Sequence, residues 1–328
     1  MRAVGVIEFG GPDALQVVEL PEVHAGRGEV RIRVHAASVN PTDIGLRSGR
    51  RATRRDTPIM MMIRFLKAAP KRQDGPPYIP GMDAAGVIDE IGPGTETALA
   101  IGDSVMAMVV PEGSHGAYSE SIVLSVDSVV RAPAGTSHVE AATLPMNGLT
   151  ARQSLDQLAL SPGRTIAITG AAGCYGGYVV QLAKADGLRV IADASSADEQ
   201  LVKSLGADIV VPRGDDIAAR MRAVAPGGVD GLADGAVQKE LAVGAVRDGG
   251  AFASVRGWDG NGERGIVFHK TWVREYDHRA DLLDRLRQQV EEGAITLRVA
   301  GTYAPEDAAL AHRRLEAGGT RGRCVIMF

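Results

Sequence analysis

The first third of the chain consists of short segments in which apolar and polar residues alternate. A period of two places successive side chains on opposite faces of an extended strand, so that one face packs and the other meets water. Turn-forming tripeptides such as Gly10-Gly11-Pro12 and Gly92-Pro93-Gly94 separate these segments. We therefore predict a β-rich domain, with strands at residues 15–20, 29–36, 86–91, 104–109 and 117–124.

From about residue 137, helical segments alternate with short apolar segments. This alternation is typical of a doubly wound parallel sheet with right-handed crossovers, which is an α/β fold. Predicted helices cover residues 139–160, the segment from 176, 198–205, 215–224, 237–247, 278–292 and 305–317. Predicted strands cover residues 165–169, 189–193, 208–211, 228–232, 251–255, 266–272 and 323–328.

The glycine-rich turn at residues 170–177 carries the strongest functional signal. It joins an apolar strand to a helix, and Gly170, Gly173 and Gly176 allow a sharp turn and close approach of the backbone to a ligand. The first N–H groups of the helix would point at one place, where a diphosphate is bound in dinucleotide folds. A second strand, Arg189–Asp193, follows at the βαβ spacing that such folds require. We therefore predict a nucleotide site here rather than a purely structural turn.

Composition narrows the class of protein. A chain of 328 residues favours two domains, and a hydrophobic content of 45% is ordinary for a globular protein. The net charge of −4 gives no electrostatic case for nucleic acid or membrane partners. Two distant cysteines make neither a disulfide framework nor a zinc cluster, and no apolar run approaches the length of a membrane span. We expect a cytoplasmic protein.

Residues 50–72 do not fit the strand pattern. They carry eight Arg and Lys residues and one acid, Asp56, around a methionine-rich apolar stretch. Thr57 and Pro58 suit a helix start, so we predict a short helix at 58–68. This segment is either a lid that adapts to an apolar or anionic substrate, or a solvated surface arm.

Several motifs, in order, resemble the medium-chain dehydrogenase/reductase superfamily, and within it the zinc-independent quinone oxidoreductase-like branch. They include residues 38–43, 47–49, 79–87, 92–94, 102–105, 205–208, 315–319 and 322–325, together with the glycine turn. The resemblance covers nearly the whole chain. It implies a GroES-like β-rich catalytic domain made of residues 1–124 and 276–328, and a Rossmann domain at 125–275. It also implies an active cleft between the two domains and a homodimer formed through the edge strand at 265–272.

The resemblance also raises the question of zinc. Zinc-dependent members have a cysteine where this chain has Asn40 and a histidine where it has Met82, and Asp83 alone cannot hold the ion. We therefore predict no metal site. Without a Lewis acid to hold an alkoxide, hydride transfer to an electron-poor acceptor is favoured over simple alcohol oxidation.

The resemblance implies residues for both parts of the active site. Asn40, Asp43 and Thr150 would lie at the nicotinamide end, although Asn40 would equally suit a turn before Pro41. A tyrosine proton donor that the family often has is not found at its usual places, so solvent, Tyr118 or the 50–72 segment would serve. The cofactor-binding residues implied are Gly170, Ala172, Gly173, Cys174, Tyr175, Gly176, Ser195, Ser196, Arg213, Val255 and Arg323, with Arg323 at the diphosphate.

The residues at and after the end of the second Rossmann strand support two alternative cofactors. Asp193 resembles the carboxylate that holds the ribose hydroxyls of NADH, whereas the family register puts the discriminating position at Ala194. Ser195, Ser196 and Arg213 resemble a site for the 2′-phosphate of NADPH. We favour NADPH, and NADH remains possible.

The predicted function is therefore a zinc-free NAD(P)H-dependent reductase of quinones or α,β-unsaturated carbonyls. Its substrate would be small, apolar or aromatic, and electron-poor. An enoyl reductase serving one pathway is the alternative enzyme. A nucleotide-binding sensor or structural protein without turnover is the alternative from another class, because a fold alone does not establish activity.

Overall fold

A computed structural model of the chain describes residues 1–49 and 75–328. The predicted helix at 58–68 and the whole basic segment at 50–72 lie outside the described residues. The chain divides into two compact units. The first comprises Met1–Pro145, Asp277–Ala280 and Val299–Phe328, and the second comprises Met146–Tyr276 and Asp281–Arg298.

These divisions differ from the predicted domain boundaries in two places. Residues 125–145 belong to the first unit, because strand β7 (Val129–Arg131) pairs with β5 (Ser104–Met108) and a short helix packs beside them. Residues 281–298 belong to the second unit, where the Thr296 N–H donates to the Gln181 side chain at 2.8 Å. Strand pairing and long-range contacts thus place both boundaries at other residues than the sequence predicted.

The first unit is mainly an antiparallel sheet. The strands of this unit are β1 (Arg2–Gly5), β2 (Gln16–Glu19), β3 (Glu29–Ser38), β4 (Asp83–Ile91), β5, β6 (Ser121–Ser125), β7, β14 (Val299–Tyr303) and β15 (Arg323–Met327). Within its described residues the strand order of the main sheet is β14-β15-β3-β4-β5-β7, with β6 also paired to β3, and β14 and β15 run parallel. Strands β1 and β2 pair with each other in a separate two-stranded sheet. The helices of this unit are α1 (Pro41–Arg47), α2 (His138–Ala141) and α9 (Ala308–Glu316). Buried aliphatic side chains such as Val34, Ile88 and Ile326 form its core.

The second unit is built on a parallel sheet whose strands are β8 (Thr165–Thr169), β9 (Arg189–Ala194), β10 (Ile209–Pro212), β11 (Val229–Asp234), β12 (Val246–Ser254) and β13 (Val267–Lys270). In the part described, the strand order is β10-β9-β8-β11-β12-β13. Its helices are α3 (Pro145–Leu158), which starts at the boundary, α4 (Cys174–Ala185), α5 (Glu199–Ser204), α6 (Ile217–Val224), α7 (Glu240–Val243) and α8 (Ala280–Glu291). Sheet order reverses between β8 and β11, as in doubly wound folds.

Several local predictions were wrong. The helix predicted at 237–247 is reduced to the four residues of α7, and β12 already begins at Val246. The helix predicted at 139–160 is two helices, α2 and α3. The pattern analysis missed β1, β14 and α1, which are short elements with weak periodicity. None of the helices in the described ranges is both long and apolar enough to cross a membrane.

Candidate functional site

The glycine turn of the second unit joins β8 to α4, and the backbone at the start of the helix lies very close to the backbone at the end of the strand. Gly170 has a φ of +69°, which side chains rarely adopt, and Gly173 is the N-cap residue of α4. A Cβ atom at position 176 would lie 2.3 Å from the Gly170 carbonyl oxygen, so only glycine allows the helix to pack here. The first N–H groups of α4 have no acceptor within the helix. This geometry suits a diphosphate.

Asp193 lies beneath this turn rather than at its surface. The side chain is only 1% exposed, and its Oδ1 accepts hydrogen bonds from the N–H groups of Gly170 at 2.6 Å and Ala171 at 3.2 Å. Its Oδ2 is buried and has no partner among the described residues. Burial raises the pKa of this carboxyl, against the opposing effect of the two N–H groups and the charge of Arg213. Asp193 therefore stabilises the turn and presents no exposed oxygen to a ribose.

Arg298 holds the same turn from a distant part of the chain. Its guanidinium donates to the carbonyl oxygens of Ala172 at 3.0 Å and Gly173 at 2.7 Å. The sequence analysis missed this residue. It is a single arginine 125 residues from Gly173, with no motif around it that signals a role.

The residues predicted to bind the 2′-phosphate directly follow two adjacent strands: Ser195 and Ser196 follow β9, and Arg213 follows β10. Pro212 lies opposite Ala194, and the Arg213 N–H donates to the Ala194 carbonyl at 2.9 Å. The Arg213 and Ser196 residues are exposed. The Ser195 hydroxyl donates to Asp198 Oδ2 at 2.5 Å, so it offers lone pairs rather than a proton to a ligand.

The other predicted residues of the second unit lie on α3, on α4 and after β12. The Tyr175 hydroxyl lies 2.8 Å from Ser154 Oγ, and burial raises its pKa above the usual range. The hydroxyl of Thr150, which is largely buried, donates to the Met146 carbonyl at 2.5 Å. Val255 directly follows β12 and is partly buried.

Asp234 is a second residue that the sequence analysis missed. It ends β11, is fully buried, and accepts from the Thr169 hydroxyl at 2.6 Å and from the N–H groups of Gln238 and Lys239 at 3.0 and 2.9 Å. These contacts shape the loop that follows β11. The only signal for it in the sequence was an acidic residue at the end of an apolar segment.

In the first unit, Asn40 and Asp43 belong to one buried polar network at the start of α1. The Asp43 carboxylate accepts from the Asn40 N–H at 2.8 Å and from the Gly81 N–H at 3.0 Å. Asn40 Nδ2 donates to Asp83 Oδ2 at 2.7 Å, and the Ser38 hydroxyl donates to the same oxygen at 2.6 Å. Asp43 caps α1, while Asp83 orients the Asn40 amide.

The network continues through three further buried side chains. Arg47 Nη1 lies 3.3 Å from His312 Nδ1, and His312 Nε2 lies 3.2 Å from the Tyr118 hydroxyl. Because arginine only donates, Nδ1 accepts and Nε2 carries the proton. The Tyr118 hydroxyl in turn donates to Asp43 Oδ2 at 3.5 Å. Burial, with the charge of Asp43, raises the pKa of Tyr118 well above its usual value, so this hydroxyl does not suit the role of a proton donor to substrate.

Arg323, predicted at the diphosphate, is buried in the first unit. Its Nη1 donates to the Val39 carbonyl at 3.2 Å, directly before Asn40. Its Nε is buried and has no partner in the described ranges. An orphaned cationic donor of this kind suits a role toward an anionic ligand, which keeps its predicted role open.

Met82 and Asn40, the two residues compared with zinc ligands above, both make contacts with other side chains. Met82 is fully buried, and its sulfur accepts from the Thr42 hydroxyl at 2.8 Å, while Asn40 is engaged with Asp83. Across residues 1–49 and 75–328, no three His, Cys, Asp or Glu side chains come together in a way that suits a metal ion.

Comparisons with known proteins agree with this architecture. Residues 26–134 match the alcohol dehydrogenase GroES-like domain, and residues 205–326 match the zinc-binding dehydrogenase domain. An alcohol dehydrogenase of Geobacillus stearothermophilus is 33% identical over 279 residues, which cover 76% of each chain. The chain belongs to the medium-chain dehydrogenase/reductase family. The predicted family and the predicted fold class, a GroES-like domain with a Rossmann parallel-sheet domain, are both confirmed.

Two further relatives bear on function. The chloroplastic quinone oxidoreductase QR1 of Triphysaria versicolor is 38% identical over 218 residues. That match spans 64% of this chain but only 60% of the plant protein. A mycobacterial protein solved in complex with NADPH is 26% identical, with a TM-score of 0.83 over the full length of both chains.

Proposed function

We propose that this medium-chain dehydrogenase/reductase is an NAD(P)H-dependent reductase of quinones or α,β-unsaturated carbonyls that works without zinc. The observation that carries the proposal is the glycine turn at the start of α4, where the first N–H groups of the helix suit a diphosphate and the Arg298 guanidinium holds the turn in place. The similarity to a plant quinone oxidoreductase supports the substrate class. The substrate would be small, apolar or aromatic, and electron-poor.

In this proposal the nicotinamide supplies the hydride. The protein binds the cofactor, orients the nicotinamide and excludes water from it. The N–H groups of Cys174 and Tyr175 hold the diphosphate, and Arg323 contributes charge. Asn40 orients the nicotinamide end, because its own amide is held by Asp83. Asp43 acts indirectly by capping the helix that begins next to Asn40. Since the Tyr118 hydroxyl is buried in the network, we propose that solvent supplies the proton.

We further propose NADPH as the preferred cofactor. Arg213 and Ser196 are exposed at adjacent strand ends, and a guanidinium is an effective partner for a phosphate. The burial of Asp193 counts against NADH, since its Oδ1 accepts from the turn and the side chain presents no exposed oxygen to a ribose. A mycobacterial structural relative is an NADPH complex, which supports the same choice.

The test is oxidation of NADPH with a panel of small quinones and enones, run with and without a strong chelator. We expect turnover that is unchanged by the chelator, and elemental analysis should find no stoichiometric zinc, because Asn40 and Met82 are not zinc ligands. One zinc per chain, or loss of activity in chelator, would contradict the zinc-free proposal. Turnover restricted to one enoyl thioester would favour a pathway enoyl reductase. Dinucleotide binding without turnover on any acceptor would favour a sensor.

We also propose a homodimer formed through β13. This strand lies at the edge of the parallel sheet of the second unit, and Val267 and Trp272 on and beside it are 52% and 45% exposed. An apolar sheet edge tends to pair with another strand, and pairing across a two-fold axis covers it. Light scattering at micromolar concentration should give the mass of two chains. A monomer under those conditions would contradict the proposal, and Val267→Lys should shift a dimer toward monomer.

A further inference from the structure

Arg298 is the last residue of the second unit and closes the segment that follows α8. Its guanidinium reaches the glycine turn and donates one hydrogen bond to each of two successive carbonyl groups, those of Ala172 and Gly173. The distances are 3.0 and 2.7 Å, within the usual range for N–H···O hydrogen bonds, and the donor group is charged. The two bonds together fix the direction of two consecutive peptide planes.

Fixing these planes aims the donors of the turn. In a planar trans peptide the C=O and the following N–H point in opposite directions. Because the guanidinium holds the Gly173 carbonyl on its own side, the Cys174 N–H faces the other side, at the start of α4. The Gly173 carbonyl also accepts the first helical bond, from the Gly177 N–H at 2.9 Å, so the helix and the arginine hold the same group.

Gly177 provides the space that the guanidinium occupies. A Cβ atom at this position would lie 2.2 Å from Arg298 Nη2. The dinucleotide turn itself needs Gly170, Gly173 and Gly176, and the position of Arg298 accounts for the additional glycine in the first turn of α4.

Opposite charges hold four consecutive residues of the turn. Asp193 accepts from the N–H groups of Gly170 and Ala171, and Arg298 donates to the carbonyl groups of Ala172 and Gly173. Arg298 Nε is buried without a partner in the described part of the chain, so water screens this side of the guanidinium poorly. Its charge therefore adds to the positive end of the helix.

We propose that Arg298 is a positioning residue for the diphosphate of a nicotinamide dinucleotide. It aims the Cys174 N–H at a phosphate oxygen and places its positive charge on the opposite, carbonyl side of the same peptide group. The inference rests on the proposed function, since it concerns the cofactor of that reaction. It differs from the role proposed for Arg213, because the diphosphate is common to NADH and NADPH.

The first test measures binding by calorimetry in the full chain. Arg298→Met should weaken NADPH, NADH and ADP-ribose to a similar degree, by about tenfold to a hundredfold. ADP-ribose lacks the nicotinamide, so an equal loss assigns the effect to the diphosphate end. Arg164→Met is the matched control, because Arg164 directly precedes β8 whereas the glycine turn follows its end. The control should bind all three ligands as the unchanged protein does.

The second test uses Gly177→Ala, which leaves the arginine in the chain but displaces its guanidinium. Alanine is the better helix former by roughly 0.5–1 kcal/mol, which offsets part of the stability lost with the two hydrogen bonds of Arg298, so dinucleotide affinity should fall further than the free energy of unfolding does. A purely structural role for Arg298 would not separate stability from affinity. Adding Gly177→Ala to Arg298→Met should cause no further loss, because both changes remove the same contact.

The outcomes separate this inference from the function it rests on. If the unchanged protein binds dinucleotides and both variants bind them within about twofold of it, the inference on Arg298 is wrong and the proposed function stands. Losses that add fully in the double variant would also contradict it. If the unchanged protein binds no dinucleotide, the proposed function falls, and the inference falls with it.

Discussion

The Arg213→Ala variant should bind NADPH about ten- to a hundredfold more weakly than the unchanged protein, which corresponds to roughly 1.5–3 kcal/mol. Its affinity for NADH should hardly change. The physical reason is that only NADPH carries the 2′-phosphate, and the exposed guanidinium leaves the end of β10 beside the end of β9. Fluorescence or calorimetric titration of both cofactors measures the difference directly.

Asp193→Ala is the comparison variant, because it should affect the turn that binds both cofactors rather than the 2′-phosphate of NADPH. Removing the carboxylate leaves the buried N–H groups of Gly170 and Ala171 without their acceptor, at a cost of about 1–3 kcal/mol of unfolding free energy. Because the whole turn loosens, both cofactors should bind more weakly. Asp193→Asn retains an acceptor oxygen and should recover most of the loss.

Two results would overturn this assignment. Equal losses of NADH and NADPH in Arg213→Ala would give the arginine a structural role only. If the unchanged protein prefers NADH and Asp193→Ala weakens the binding of NADH alone, the Asp193 carboxylate binds the ribose hydroxyls instead. The same titrations decide both points.

The free energy of unfolding should fall by about 2 kcal/mol between pH 6.5 and pH 4.5 through His312 alone. Burial, together with the charge of Arg47, lowers the pKa of His312 to about 3. In the unfolded chain the same imidazole takes up a proton near pH 6.5, whereas in the folded chain it stays neutral. The unfolded state therefore binds more protons in this range, and stability is lost as the pH falls from about 6.5 toward 3.

Carboxylates elsewhere also titrate in this range, so the measurement needs a matched variant. Glutamine has an acceptor for Arg47 and a donor for Tyr118 but does not ionise, so His312→Gln should flatten this part of the pH dependence. Chemical denaturation at a series of pH values measures both proteins. Identical curves for the parent protein and His312→Gln would contradict the prediction.

The dinucleotide turn was predictable because its requirements are local. A strand, a left-handed residue at Gly170 and a close approach at Gly176 each leave a mark within a few residues of sequence. The same holds for the alternation of helices and strands from residue 137, which the parallel sheet confirms. The helix predicted at 237–247 failed because α7 is only four residues long and leads directly into β12. Periodicity carries little information over so short an element.

The direction of the Asp193 side chain was not predictable in the same way. Adjacent strand residues face opposite sides, so a shift of one residue separates a ribose ligand from a support of the turn. The pattern along β9 is compatible with both. Packing of the turn onto the strand end places the carboxylate inside, where two N–H groups meet it.

Sequence alone thus predicted the two kinds of sheet and the glycine turn, because strand and helix periodicity and backbone freedom are properties of neighbouring residues. The family followed from the resemblance of its motifs. The sequence did not reveal that Arg298 holds Gly173 across 125 residues, or that Arg47 meets His312 across 265 residues. Each of these contacts joins side chains whose own segments carry no motif. They arise when distant segments pack and a buried donor must find an acceptor, a condition that only the folded chain imposes.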